Sequence, residues 1–204
     1  MSFIGGSASF TRYRIIDEPP KSLWPEIPDR LKKFPFTDID NLPEERAWGW
    51  VCFDNMIDTE WRTAPPEKAH YIAFSFRLDT RRVPPAVFKK HFTIALEEEE
   101  RRNKQEGRKF VGKDRKRELR DLVKSKLMTR FLPIPATFDV AWNTEKNIVY
   151  FDCTRQKVCD MFLEHFTQTF DLHLEPLTPY FLALNILGTE AQHRIDAAEP
   201  TSFV

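Results

Sequence analysis

The chain has 204 residues, with 31 Lys or Arg balanced by 31 Asp or Glu for a net charge of zero. That length suits one large domain or one domain with an appendage, and an apolar content of 41 % led by 18 Phe supplies a real core. No stretch approaches the roughly 20 apolar residues of a membrane helix. The first ten residues lack a secretory pattern, and Cys52, Cys153 and Cys159 have no paired spacing, so reduced thiols in a cytoplasmic protein are expected rather than a disulfide framework.

In chain order, Ser7 to Asp17 alternates loosely and predicts a first strand, ended by Pro19 and Pro20. Leu23 to Phe34 predicts a short helix with Pro28 in its first turn, since Ile27, Leu31 and Phe34 recur at helical spacing. Ala47 to Phe53 predicts a strand with Trp48 and Trp50 on one face, for which core packing is preferred over base stacking. Asp54 to Lys68 predicts a loop. Ala69 to Leu78 is the clearest strand, with His70, Ile72, Phe74, Phe76 and Leu78 on one face. Two helices follow. The first starts at Pro84-Pro85 with a stripe of Val87, Phe88, Phe92, Ala95 and Leu96. The second runs from about Gly112 to Phe131 with Leu119, Leu122, Val123, Leu127 and Phe131 as its stripe. A hairpin pairs Thr137 to Trp142 with Ile148 to Asp152 across a turn at Asn143 to Asn147. A helix capped by Thr154 buries Val158, Met161, Phe162, Phe166 and Phe170. A short strand (Leu172 to Leu177) and a helix (Pro179 to Leu187) come last, before a polar tail from Gly188.

This order predicts an α+β fold: an antiparallel sheet packed with helices, carrying an inserted charged helical hairpin. The core takes residues 1–80 and 132–187, the hairpin forms a tip over 81–131, and 188–204 is expected to be a disordered tail. Each hairpin arm is read as ~20 residues and so roughly 30 Å long.

The hairpin holds the main functional clue. From Arg108 to Arg130 there are ten Lys or Arg against three Asp or Glu, so a neutral chain concentrates positive charge in one helix. On a helical wheel Lys113, Arg117, Arg120 and Lys124 share one strip, with Asp114, Glu118 and Asp121 on the far side. Such a strip can follow a phosphate backbone, because each cation neutralises a phosphate and releases a counterion. Few Gln or Asn accompany it, so no base-reading pattern is present. The bland alternative is a solvated face laced with pairs such as Arg117 with Asp121. The acidic run Glu97 to Glu100 reads as a solvated helix end paired with Arg101, Arg102 or the facing basic helix.

An ordered series of segments carries a resemblance. It comprises GWV at Gly49 to Val51, VPPAVFKKHF at Val83 to Phe92 and GRKFVGKDRKRELRDLV at Gly107 to Val123. It continues with KLMTRFLP, the WNTxxNIVYFDC hairpin at Trp142 to Cys153, and LEPLTP. Together they resemble the recombination-associated RdgC family over most of residues 8 to 182, as a short member lacking the typical C-terminal portion. The resemblance implies a dimer that encloses duplex DNA as a ring or clamp, without sequence specificity. It also implies restricted access of a recombinase to DNA, and a nucleoid-associated location. Lys113, Arg117, Arg120 and Lys124 are the expected phosphate contacts, supported by Arg108, Lys109 and Lys116. Cofactors, metals and catalytic residues are not expected.

Two other readings are open. The family has been labelled exonuclease, and a metal-dependent nuclease needs clustered carboxylates. The candidates are Asp38 with Asp40, Asp139, Glu145 and Asp152, with Asp139 expected to point away from the face of Phe138 and Val140. Cys153, Cys159, His165 and His173 lack zinc-site spacing and are read as structural thiols and surface histidines. The third reading is a protein-interaction module whose three-sided helix docks an acidic partner.

Overall fold

The computed structural model describes residues 9–107 and 110–199. In chain order the elements are β1 (Thr11–Ile15), α1 (Leu23–Lys33), β2 (Arg46–Cys52), β3 (Glu67–Lys68), β4 (Tyr71–Thr80), α2 (Pro85–Gln105), α3 (Lys113–Met128), β5 (Ile134–Asn143), β6 (Ile148–Phe151), α4 (Gln156–Phe170), β7 (Leu174–Pro176), α5 (Pro179–Leu187) and α6 (Gln192–Asp196). The fold is α+β, with a seven-stranded antiparallel sheet in the order β2-β4-β5-β6-β1-β7 and β3 beside β4. Two compact units divide the chain. One takes Met1–Pro35, Gly49–Arg77 and Thr137–Val204, and the other takes Phe36–Trp48 and Leu78–Ala136.

In the first unit, α4 supplies the apolar counterpart of the sheet. Phe162, Phe166 and Phe170 recur at i, i+4, i+8, so they share a face. They meet Trp50, Phe74, Phe151 and Trp142; Phe151 and Phe162 stack with ring centroids 4.0 Å apart. Trp50 is fully buried and its indole N–H donates to Thr169 Oγ1 at 2.8 Å, which supplies the partner that a buried indole needs. The β5–β6 hairpin pairs Asn143 with Ile148, and Asn143 Oδ1 accepts from the N–H groups of Glu145 and Lys146, an Asx-type bond that closes the turn. Asn147 then takes the left-handed conformation (φ 52°), which Asn tolerates better than most residues.

Several local expectations are corrected. Helix α1 begins at Leu23, so Pro28 lies inside it rather than in its first turn. The N–H that Pro28 lacks would have bonded Trp24 in the first turn, where the ladder has barely begun. Thr154 does not cap α4; Arg155 occupies that position without a side-chain bond. The buried face of α4 turns towards Cys159, His165 and Thr169, leaving Met161 half-buried. At α5, Thr178 does cap the helix, its Oγ1 accepting from Phe181 N at 3.3 Å. The loop expected up to Lys68 ends in the two-residue β3, and past Gly188 the described residues form a 3-10 turn (Thr189–Ala191) and α6.

In the second unit, α2 and α3 pack against each other. The stripe expected on α2 is the half-buried face, continued by His91, Glu99 and the buried Asn103. On α3, Leu119, Val123 and Leu127 are buried as expected, but Leu122 is 64 % exposed and Met128 takes a buried place. From Leu119, Leu122 lies about 60° back, while Val123 and Leu127 lie about 40° and 80° forward. A narrow contact therefore leaves Leu122 outside. The helix ends at Met128, so α3 is 16 residues long, about 24 Å, and Phe131 lies beyond it.

Between the expected strands, residues 39–45 of the second unit are held by one side chain. Arg81 is 1 % exposed. Its Nη2 donates to the carbonyls of Ile39 (2.7 Å) and Asp40 (3.0 Å), and its Nη1 to those of Leu42 and Glu44. Its backbone N–H bonds Glu45 O at 2.9 Å. The planar five-donor fork of arginine suits this grouping of carbonyls, which a lysine could not serve.

Candidate nucleic-acid interface

The N-terminal half of α3 is exposed throughout, from Lys113 to Glu118. Gly112 precedes it in an extended conformation that opens the helix. Asn103 Nδ2 donates to Phe110 O at 3.2 Å and Val111 is buried, so the two residues before Gly112 are anchored, one of them to α2.

The basic residues of α3 fall into three states. Lys113, Lys116 and Arg117 are exposed and make no ion pair among the described residues. With Asp114, Arg120 and Asp121 they line one open depression. Arg120 lies with its guanidinium carbon 5.4 Å from the centroid of the Phe92 ring, within cation–π range, which steadies it while leaving its N–H edge exposed. Lys124 is beside Glu45, with Nζ 3.4 Å from Oε2, so part of its charge is already answered. Arg108 and Lys109 lie outside the described residues.

Arg115, absent from the expected strip, is the cation most strongly tied to carboxylates. Nε and Nη2 donate to the two oxygens of Glu99 at 2.7 and 3.2 Å, and Nη1 to Glu118 at 2.9 Å. These bonds, that to Glu99 foremost, raise the guanidinium's hold on its proton. The acidic run is thus paired with the facing basic helix through Glu99, and Arg102 lies 3.9 Å from the same carboxylate. The Arg117–Asp121 pair of a merely solvated face does not occur among the described ion pairs. Local spacing could have flagged Arg115 with Glu118, but not with Glu99 on another helix.

The carboxylates weighed for a nuclease are separately engaged. Asp38 Oδ1 accepts from Asp40 N at 2.6 Å in a local turn. Glu145 sits 2.9 Å from His70 Nδ1. Asp139 and Asp152 are neighbours across the β5–β6 ladder, with Asp152 N donating to Asp139 O at 2.9 Å, and both are buried. Asp139 accepts from Ser75 Oγ at 2.9 Å, while burial, and then the charge of Asp139, push the Asp152 carboxyl up. Among the described residues no group of three or more His, Cys, Asp or Glu could hold a metal ion. Cys52, Cys153 and Cys159 are all buried free thiols. His173 is exposed and bonded to Asp17, but His165 is no surface residue. It lies 4.6 Å from the Trp50 ring, and burial lowers its pKa to about 4.

The molecule so described is an α+β protein on an antiparallel sheet with a charged helical pair, and no described helix is long and apolar enough to cross a membrane. The family model described as "Putative exonuclease, RdgC" matches residues 10–185, and the chain belongs to that family of recombination-associated proteins. Among curated proteins, no match was found.

Proposed function

We propose that the protein binds DNA through its phosphate backbone, without reading sequence, and that α3 supplies the contact. The observation that carries this reading is the group of Lys113, Lys116 and Arg117, all exposed and without an ion pair among the described residues. Ion-paired cations have little left to give a phosphate; unpaired ones release counterions when they meet it. Arg120 extends the group, Lys124 contributes once it leaves Glu45, and Arg108 and Lys109, shortly before α3 in the sequence, add support. Family membership supplies the rest of the proposal: a dimer or clamp on duplex DNA at the nucleoid that limits a recombinase's access.

A mobility-shift titration of a duplex at several salt concentrations tests it. Log affinity should fall with log salt at about 0.9 per phosphate contacted. The triple variant Lys113→Ala, Lys116→Ala, Arg117→Ala should flatten the slope by about two to three and weaken binding at low salt. An unchanged slope would remove α3 from the contact. Shortened products from linear DNA with Mg²⁺, lost in an Asp139→Asn variant, would favour a nuclease instead.

A further inference from the structure

A cleft of about 760 Å³ lies within the second unit, away from the unpaired cations of α3. Its walls are mostly apolar, made by Val83, Pro84, Pro85, Phe88, Met128 and Ile134. Ile134 is 62 % exposed there. That volume suits a few residues of peptide or a drug-sized molecule.

The charge of the lining is one-sided. Arg81, Arg82 and Lys124 face the cleft against the single carboxylate of Glu45. Arg82 is exposed and has no ion pair among the described residues. Arg81 is buried, and its hydrogen bonds go to neutral carbonyls, so they satisfy the donors without cancelling the charge. Its Nε, also buried, has no hydrogen-bond partner. The N-terminus of the 21-residue α2 opens at the same place, since Pro84, Pro85 and Phe88 line the cleft. Pro84 gives that end no side-chain cap and its first turn carries no acidic residue, so the positive end of the helix dipole is unanswered.

An apolar cleft with positive potential selects a ligand that is apolar and anionic at once. A nucleic-acid backbone fits poorly, because a chain charged at every phosphate has no apolar group to set against the wall of Phe88, Met128 and Ile134. We infer that this cleft docks a short segment of a partner protein in which apolar side chains alternate with carboxylates. The apolar side chains fill the wall formed by Phe88, Met128 and Ile134, while the carboxylates reach Arg82 and the uncapped end of α2. Charge complementarity sets the orientation and the partner choice.

Fluorescence anisotropy on the full chain tests the inference with a fluorescein-labelled peptide that alternates Asp and Leu. Control peptides replace Asp by Asn, or Leu by Ser. The Asp–Leu peptide should bind at least about tenfold more tightly than either control. Arg82→Glu and Ile134→Glu, both at exposed positions, should each weaken it about tenfold while thermal melting stays unchanged. Equal binding of all three peptides overturns the inference, as does full binding by both variants. Displacement of the peptide by duplex DNA, with both variants weakening DNA equally, also overturns it and gives the cleft to the DNA surface.

Discussion

Arg115 on α3 and Glu99 on α2 form a two-point pair, Nε to Oε1 at 2.7 Å and Nη2 to Oε2 at 3.2 Å. Glu99 is the less exposed partner, with 12 % of its side chain accessible against 45 % for Arg115. Parallel guanidinium–carboxylate bonds fix the relative rotation of two helices as well as their separation. The pair also takes Arg115 out of the pool of cations open to phosphate.

Glu99→Gln should therefore change two observables in opposite senses. Thermal stability should fall, by an amount that shrinks as salt rises, because the pair is solvent-accessible. Affinity for duplex DNA should rise, and the salt slope should steepen by up to about 0.9, because a cation next to Lys116 becomes available. Arg115→Ala should lower stability without raising affinity. If the two variants shift DNA binding alike, the pair has no role in partitioning the charge.

Arg81 gives a stability prediction. Arg81→Met leaves the carbonyls of Ile39, Asp40, Leu42 and Glu44 without their common donor. Only the bond to Ile39 O is fully buried and water can reach the other freed carbonyls, so a loss of about 1–3 kcal/mol is expected in urea unfolding. Arg81→Lys should recover little of it. Limited proteolysis should show the 39–45 segment becoming cleavable. A midpoint within error of the parent chain would contradict the clasp.

His165 makes the protein acid-sensitive in a defined window. Its imidazole is buried against Trp50 and Phe76, and its pKa is lowered to about 4 from an ordinary 6.5. Between those values the unfolded chain binds a proton that the folded chain refuses, so stability is complete above about pH 6.5 and falls as pH drops towards 4. The full effect of that displacement is about 3 kcal/mol. His165→Phe should flatten the loss between pH 6.5 and 4, measured as the urea midpoint at each pH. An equally steep loss in the variant would assign it to other groups.

The parts legible in the sequence are those governed by neighbours along the chain. The helix Pro179–Leu187 has the bounds expected of it, and the β5–β6 hairpin forms around Asn143 as its turn residues require. The alternation of Phe74 and Phe76 on β4, and the spacing of Phe162, Phe166 and Phe170 on α4, place the main apolar faces because strand and helix periods are fixed by backbone geometry. The order of motifs also carried the family.

What remained depended on residues far apart in the chain. Leu122 and Met128 are both apolar, yet Leu122 is 64 % exposed and Met128 5 %, a difference that the helical period does not encode. His165 looks like a surface histidine until Trp50, Phe34 and Phe76 close around it. Arg81 is one arginine among many until four carbonyls from residues 39–44 converge on it. The charge of α3 was evident from composition, but its division into free and answered cations was not. Glu99 reaches Arg115 across 16 positions and Glu45 reaches Lys124 across 79, separations that no local period encodes. The sequence by itself determined how much positive charge α3 carries; tertiary structure decided which of it is free, because an ion pair depends on distance in space.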